Sequence, residues 1–162
     1  YEILEHTLIG FRLQPWLKSA RKRLVAHPKF YFFDTGVTNA VNRRLAAPPD
    51  PRLTGRLFEQ FIVLEVHHYL HYAFSETRIF SWRTNAGAEV DLVLEKHGEL
   101  LGAFEIKSAT EVSGNDFSGL RAFRNDNPDV PLTVVYKGTQ AYRTDGIRVI
   151  PWMMFLDETR HA

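Results

Sequence analysis

Glu89-Val90-Asp91-Leu92-Val93-Leu94-Glu95, a His97-Gly98 turn, and then Leu100-Leu101-Gly102-Ala103-Phe104-Glu105-Ile106-Lys107 form the stretch on which the fold of this chain turns. Side chains along a strand alternate between faces. Val90, Leu92 and Leu94 fall on one face of the first strand, and Glu89, Asp91, Val93 and Glu95 on the other. In the second strand Phe104 and Ile106 share an apolar face, and Glu105 and Lys107 share the opposite one. Paired as a hairpin, the two strands are expected to gather Asp91, Glu105 and Lys107 on one side.

Such a grouping costs energy unless something answers it. Two carboxylates about 4 Å apart repel by roughly 4 kcal/mol at an effective dielectric near 20. A divalent cation reverses the sign, and hard oxygen donors suit Mg²⁺ or Mn²⁺. Lys107, one step along the same face, can orient an attacking water or neutralise charge on a phosphoryl oxygen. The competing reading is a charged outer hairpin face with a weak Glu105–Lys107 surface pair.

Outward from the hairpin, Arg78 to Arg83 reads as a preceding strand, closed by Asn85-Ala86-Gly87. Before it, a long helix is predicted from Thr54 or Gly55, running from Arg56 to about Phe74. Phe58, Phe61, Ile62, Val66, Tyr69 and Leu70 recur on it at helical spacing. Glu59 and Glu65 both fall on that apolar arc, where a lone carboxylate needs a partner. After the hairpin come a helix over 116–125, strands over 132–136 and 147–150, and a short terminal helix. From Pro51 the order is α-β-β-β-α-β, which predicts a mixed sheet with helices on its faces.

Residues 1–50 read as an N-terminal extension to a 51–162 core. They offer a helix end over 1–8, a strand from Ile9 to Leu13 closed by Pro15, and an irregular basic stretch with a strand at Arg23 to Ala26. Phe30 to Phe33 is β-prone, and Asp34-Thr35-Gly36 starts a short helix ending near Ala46. Pro48, Pro49 and Pro51 are expected to mark a linker.

The 162 residues fit one domain. No cysteine is present, which excludes disulfides and thiolate zinc sites and points to a reducing, cytoplasmic setting. No apolar run is long enough to span a bilayer, and the start at Tyr1, in mid-pattern, suggests a piece of a longer protein. Net charge is only +1, but residues 1–60 carry ten Lys/Arg against five Asp/Glu. Lys18, Arg21, Lys22 and Arg23 form one basic cluster and Arg43, Arg44, Arg52 and Arg56 another. These can collect phosphates or simply be solvated.

The pattern Asp91, then Glu105-Ile106-Lys107, resembles the PD-(D/E)XK nuclease superfamily, the restriction-endonuclease-like fold. Gly55-Arg56-Leu57-Phe58-Glu59 matches the helix glutamate found in several of its members; Val90 stands where the proline of the family's name would be. A wider resemblance runs through Lys29-Phe30-Tyr31-Phe32-Phe33-Asp34-Thr35-Gly36, Leu57-Phe58-Glu59, Trp82-Arg83-Thr84, Glu89-Val90-Asp91 and Glu105-Ile106-Lys107-Ser108. In that order these resemble a module of unknown function at the C-terminus of prokaryotic AAA+ ATPases. The resemblance implies an upstream P-loop ATPase domain in the same polypeptide. It further implies Mg²⁺ or Mn²⁺ held by Asp91, Glu105 and the Ile106 carbonyl, with Glu59 close by and Lys107 assisting. DNA would be the substrate. The alternative is a catalytically inactive DNA-binding or protein-docking module serving the ATPase.

Arg83 and Arg56 are secondary candidates for phosphate contacts, a surface ion pair being the alternative for Arg83. His67 and His71, at i and i+4, have a chelating spacing but are expected on a solvated face. Ser108 should point away from Lys107 as a strand-end hydrogen bonder. Trp82, Phe104 and the Tyr31–Phe33 run are expected in the core.

Overall fold

The structure, a computed structural model, describes residues 2–17, 27–46, 48 and 50–160. The cluster Lys18, Arg21, Lys22 and Arg23 and the strand expected at Arg23 to Ala26 lie outside them, as does Pro49. The described elements are α1 (Glu2–His6), β1 (Gly10–Leu13), β2 (Lys29–Phe32), α2 (Thr35–Val41), α3 (Pro51–Tyr72), β3 (Arg78–Arg83), β4 (Glu89–Lys96) and β5 (Glu99–Lys107). A 3-10 turn (Gly114–Phe117) leads into α4 (Ser118–Asp126). Then follow β6 (Leu132–Tyr136), β7 (Tyr142–Thr144), β8 (Ile147–Pro151) and α5 (Trp152–Arg160).

Six strands form one mixed sheet in the order β3-β4-β5-β6-β8-β7. β4 pairs antiparallel with β3 on one side and with β5 on the other. β5, β6 and β8 are parallel, and β7 is antiparallel to β8. Both faces are covered. On one, Trp82, Val90, Val93, Ala103 and Val134 pack with Leu120 and Phe123 of α4. On the other, Leu92, Ile106 and Val135 pack with Ile62, Val63 and Val66 of α3 and Phe155 and Leu156 of α5. Burial on both sides accounts for the composition of β6, Leu-Thr-Val-Val-Tyr, in which every residue is buried. It also argues against the competing reading of a charged outer hairpin face.

The linker expectation needs revision too. Asp50 caps α3 by accepting from the Arg52 N–H, and Pro51 sits in the first turn. There proline's missing N–H is no loss, so it starts this helix instead of separating it from what precedes. β7 was not anticipated, although Asp145 (φ 52°) and Gly146 (φ 72°) form the left-handed pair of a tight β7–β8 hairpin.

β1 and β2 pair antiparallel as a separate ribbon, Gly10 to Leu13 opposite Phe32 to Lys29. Hydrogen bonds to α3 and to β3 help join it to the main body. Gln60 of α3 donates to the Phe32 carbonyl (2.9 Å) and accepts from the Thr38 hydroxyl (2.8 Å). Beyond β1 the chain runs along the edge of β3: Trp16 N–H donates to the Ser81 carbonyl and Ser81 N–H to the Gln14 carbonyl. Leu13 and Tyr31 join the α3 face, and Trp16 joins the α4 face.

Candidate functional site

A β-bulge places the central acid. Phe80 lies opposite Val93 and Trp82 opposite Val90, so β4 spends one residue more than β3 in that interval. Strict alternation therefore fails: Val90 and Val93 share the α4 face while Leu92 faces α3. The sequence expectation grouped Val90 with Leu92 and is corrected here. β4 and β5 stay paired as far as Leu92 opposite Phe104. There the Asp91 carboxylate accepts the Ile106 N–H (2.9 Å), standing in for the next backbone rung.

Asp91 is 8% exposed and has a second partner. Lys29 Nζ, from β2, lies 3.3 Å from Asp91 Oδ1 and 2.6 Å from Glu59 Oε1. The Tyr31 hydroxyl donates to the same Glu59 oxygen at 2.6 Å. Lys29 and Tyr31 are two apart on a strand and so point the same way. Sequence reading passed over Lys29 and placed Tyr31 in the core by its ring alone. The ring is buried, as expected, but the hydroxyl belongs to the site. A Lys-x-Tyr pair in a β-prone run was the available signal.

Glu105 and Lys107 form the other half. Lys107 Nζ lies 2.8 Å from Glu105 Oε1 and 3.5 Å from Asp116 Oδ1. Asp116 is itself held by Ser113, whose N–H and hydroxyl donate to it at 2.7 and 2.9 Å. Glu105 Oε2 is buried and has no hydrogen-bond partner.

Burial pushes the Asp91 carboxyl up, and the nearby Glu59 adds to this against Lys29, the Ile106 N–H and Lys107; it ends at about 6. Burial and then the Asp91 charge push Glu105 up to about 8, in spite of Lys107. Burial alone would lower both lysines, but the acids hold them above the usual value: Glu59 and Asp91 for Lys29, Glu105 foremost for Lys107. Burial and the Glu59 charge also keep the Tyr31 phenol protonated. Near neutral pH the cluster therefore carries two ammonium ions and a carboxyl pair that resists full ionisation.

Glu59, Asp91, Glu105 and Lys107 thus belong to one electrostatic network. Among the described residues, however, no three His, Cys, Asp or Glu side chains converge as a ready ligand set. Lys29 and Lys107 draw the acids into two ion-paired halves. Glu65 plays no part, pairing with Arg160 at 3.5 Å. Arg83 is exposed and pairs with Glu89 (3.0 Å), and Arg56 is exposed on α3 one turn before Glu59. Ser108 Oγ lies 3.6 Å from the place a Cβ on Gly55 would occupy, so α3 runs close past the end of β5. His67 is not on a freely solvated face. It stacks on Phe11 of β1 (centroids 3.9 Å), and burial lowers its pKa to about 4.

Residues 54–155 match the profile of a family described as a domain of unknown function (DUF4143). The chain belongs to that family. The DUF4143 segment holds Glu59, Asp91, Glu105 and Lys107. Lys29 and Tyr31 come from residues 1–47, which match a second profile, also of a domain of unknown function (DUF8612). The chain is similar to "Uncharacterized protein Rv2008c" of Mycobacterium tuberculosis and "Uncharacterized protein Mb2031c" of Mycobacterium bovis. Each is 29% identical over 154 residues, covering 93% of this chain and 33% of the relative. The chain therefore spans about a third of the length of these curated relatives. No solved structure matches it. Among the described residues no helix is long and apolar enough to cross a membrane.

Proposed function

We propose that this DUF4143 chain is the C-terminal nuclease-like domain of an AAA+ ATPase, with a restriction-endonuclease-like core that hydrolyses DNA phosphodiesters in a divalent-metal-dependent way. The observation that carries this reading is the Glu105 carboxylate. It is buried beside the charge of Asp91, and one of its oxygens has no protein partner. A buried acceptor left unmatched is costly unless a proton or a cation answers it. All the donors at hand are hard oxygens, which suits Mg²⁺ or Mn²⁺.

Asp91, Glu105 and the Ile106 carbonyl would hold the ion, with Glu59 in direct or water-mediated contact. A bound ion would supply Lewis-acid charge stabilisation and an acidified water. The remaining work falls to the chain. The Ile106 N–H and Lys29 hold the Asp91 carboxylate on two sides, so its oxygens are positioned before any ligand arrives. Lys107, kept protonated by Glu105 and Asp116, presents a fixed positive charge for a phosphoryl oxygen as it gains negative charge. Helices on both faces of the sheet limit water around these groups and strengthen each interaction. The additional length of the mycobacterial relatives leaves room for an ATPase domain, and a cytoplasmic setting suits that partner.

One observation favours a second reading. Lys29 and Lys107 already pair with Glu59, Asp91 and Glu105, as in a structural cluster. The chain would then be a catalytically inactive DNA-binding or protein-docking module. Titration of Mn²⁺ by calorimetry, with plasmid and branched DNA incubated alongside, separates the two. Wild type should take up metal and nick DNA. Asp91→Ala should lose uptake and at least about a hundredfold of the nicking rate. Salt-sensitive DNA binding with neither property would favour the docking module.

A further inference from the structure

We propose that Lys29 is a tethered second cation: its ammonium fills the position between Glu59 and Asp91, so the site takes one divalent ion and not two. This rests on the metal-binding reading above. Two-metal sites need acid oxygens that serve ions about 4 Å apart. Here three of those oxygens are already engaged. Lys29 Nζ takes Glu59 Oε1 and Asp91 Oδ1, and the Ile106 N–H takes Asp91 Oδ2. Tyr31 adds its hydroxyl to Glu59 Oε1. Glu105 Oε2 remains unmatched and buried. The acceptor still calling for positive charge is therefore on Glu105, while the Glu59 side is met by the chain itself. An ammonium is a compact point charge with three donors, and two of these are engaged with the acids. β2 supplies it from outside the DUF4143 segment, so the charge arrives with folding and needs no ion from solution.

The test is Mn²⁺ stoichiometry, from calorimetry and from the loss of the free-ion electron paramagnetic resonance signal. The full chain is compared as wild type, Lys29→Met, Lys29→Arg and the double variant Lys29→Met/Glu59→Gln. Wild type and Lys29→Arg should each take one ion. Lys29→Met should take two, and the double variant should return to one. If Lys29→Met takes one ion with wild-type affinity, or wild type takes two, the tethered-cation proposal falls while the metal reading stands. If wild type takes none and Lys29→Met takes one that Glu59→Gln abolishes, Lys29 is the cation's occupant and the metal reading of the native site falls. No uptake by any variant removes both. Should Lys29→Met be unfolded without metal, recovery of a cooperative thermal melt in millimolar Mn²⁺ supports the proposal, and absence of that recovery overturns it.

Discussion

At the residue scale the molecule keeps carboxylates under conditions that oppose their ionisation. The folded-state pKa values of Asp91 and Glu105 are raised, to about 6 and about 8, above the usual carboxylate range. Between that range and pH 8 the native chain holds more protons than the unfolded one. Stability is therefore greatest on the acid side of the window and falls as pH rises through it. For a single group the slope reaches about 1.4 kcal/mol per pH unit. Thermal melts in a chelator should show the melting temperature falling from pH 5 to pH 8.5, and Glu105→Gln should flatten that fall. A wild-type curve no steeper than the variant's would contradict the buried, unmatched state of Glu105. Asp91, Glu105 and Lys107 were visible in the sequence because acids interrupting an apolar alternation stand out. Lys29 was not, because a lysine at the start of an aromatic strand resembles any strand-end charge until the strand's neighbour is known.

At the element scale two close contacts set the geometry. A Cβ on Gly119 would come within 1.8 Å of the Glu89 carbonyl and 3.5 Å of Glu105 Oε2. Backbone cannot yield to that clash without shifting α4 from β4. Gly119→Ala should cost about 1–3 kcal/mol in urea unfolding, the range for overpacking a filled site, and should disturb metal uptake as well. On the other face Ile62 is fully buried between α3 and the sheet. Ile62→Ala should cost about 2–5 kcal/mol in the same assay, with Glu59 and Glu105 chemistry otherwise intact. The strands β3 and β6 and the long helix were legible from apolar periodicity. The start of α3 was missed because a proline cluster looks like a break, although proline in a first helical turn is favoured. β7 was missed because a strand of three residues, two of them exposed, carries no periodicity.

At the scale of the whole molecule the two family profiles divide the chain, but neither its core nor its charge network respects that division. Leu13, Trp16 and Tyr31 from the first part are buried with residues of the second. A 51–162 fragment would expose the surface these cover and leave Glu59 without Lys29 and Tyr31. Its urea transition, followed by circular dichroism, should have a midpoint well below that of the full chain or lose cooperativity. A fragment as stable as the whole would show the ribbon to be dispensable. Proline spacing suggested an extension over residues 1–50 and a core over 51–162. The dependence between the parts was not readable, since it arises from contacts such as Gln60 to Phe32 that join positions 28 apart.

The extra residue in β4 has an evolutionary corollary. Deleting one position between Val90 and Val93 would restore regular alternation there and rotate Asp91 out of the gap it fills beside Ile106. The turns at 85–87 and 97–98 lie outside that bulge; a Cβ at Gly87 or Gly98 would meet open space, but their left-handed backbone (φ 90° and 88°) still favours glycine there. Homologues that vary in length should therefore gain and lose residues at those turns and conserve the spacing from Trp82 to Ile106 only where it crosses the bulge.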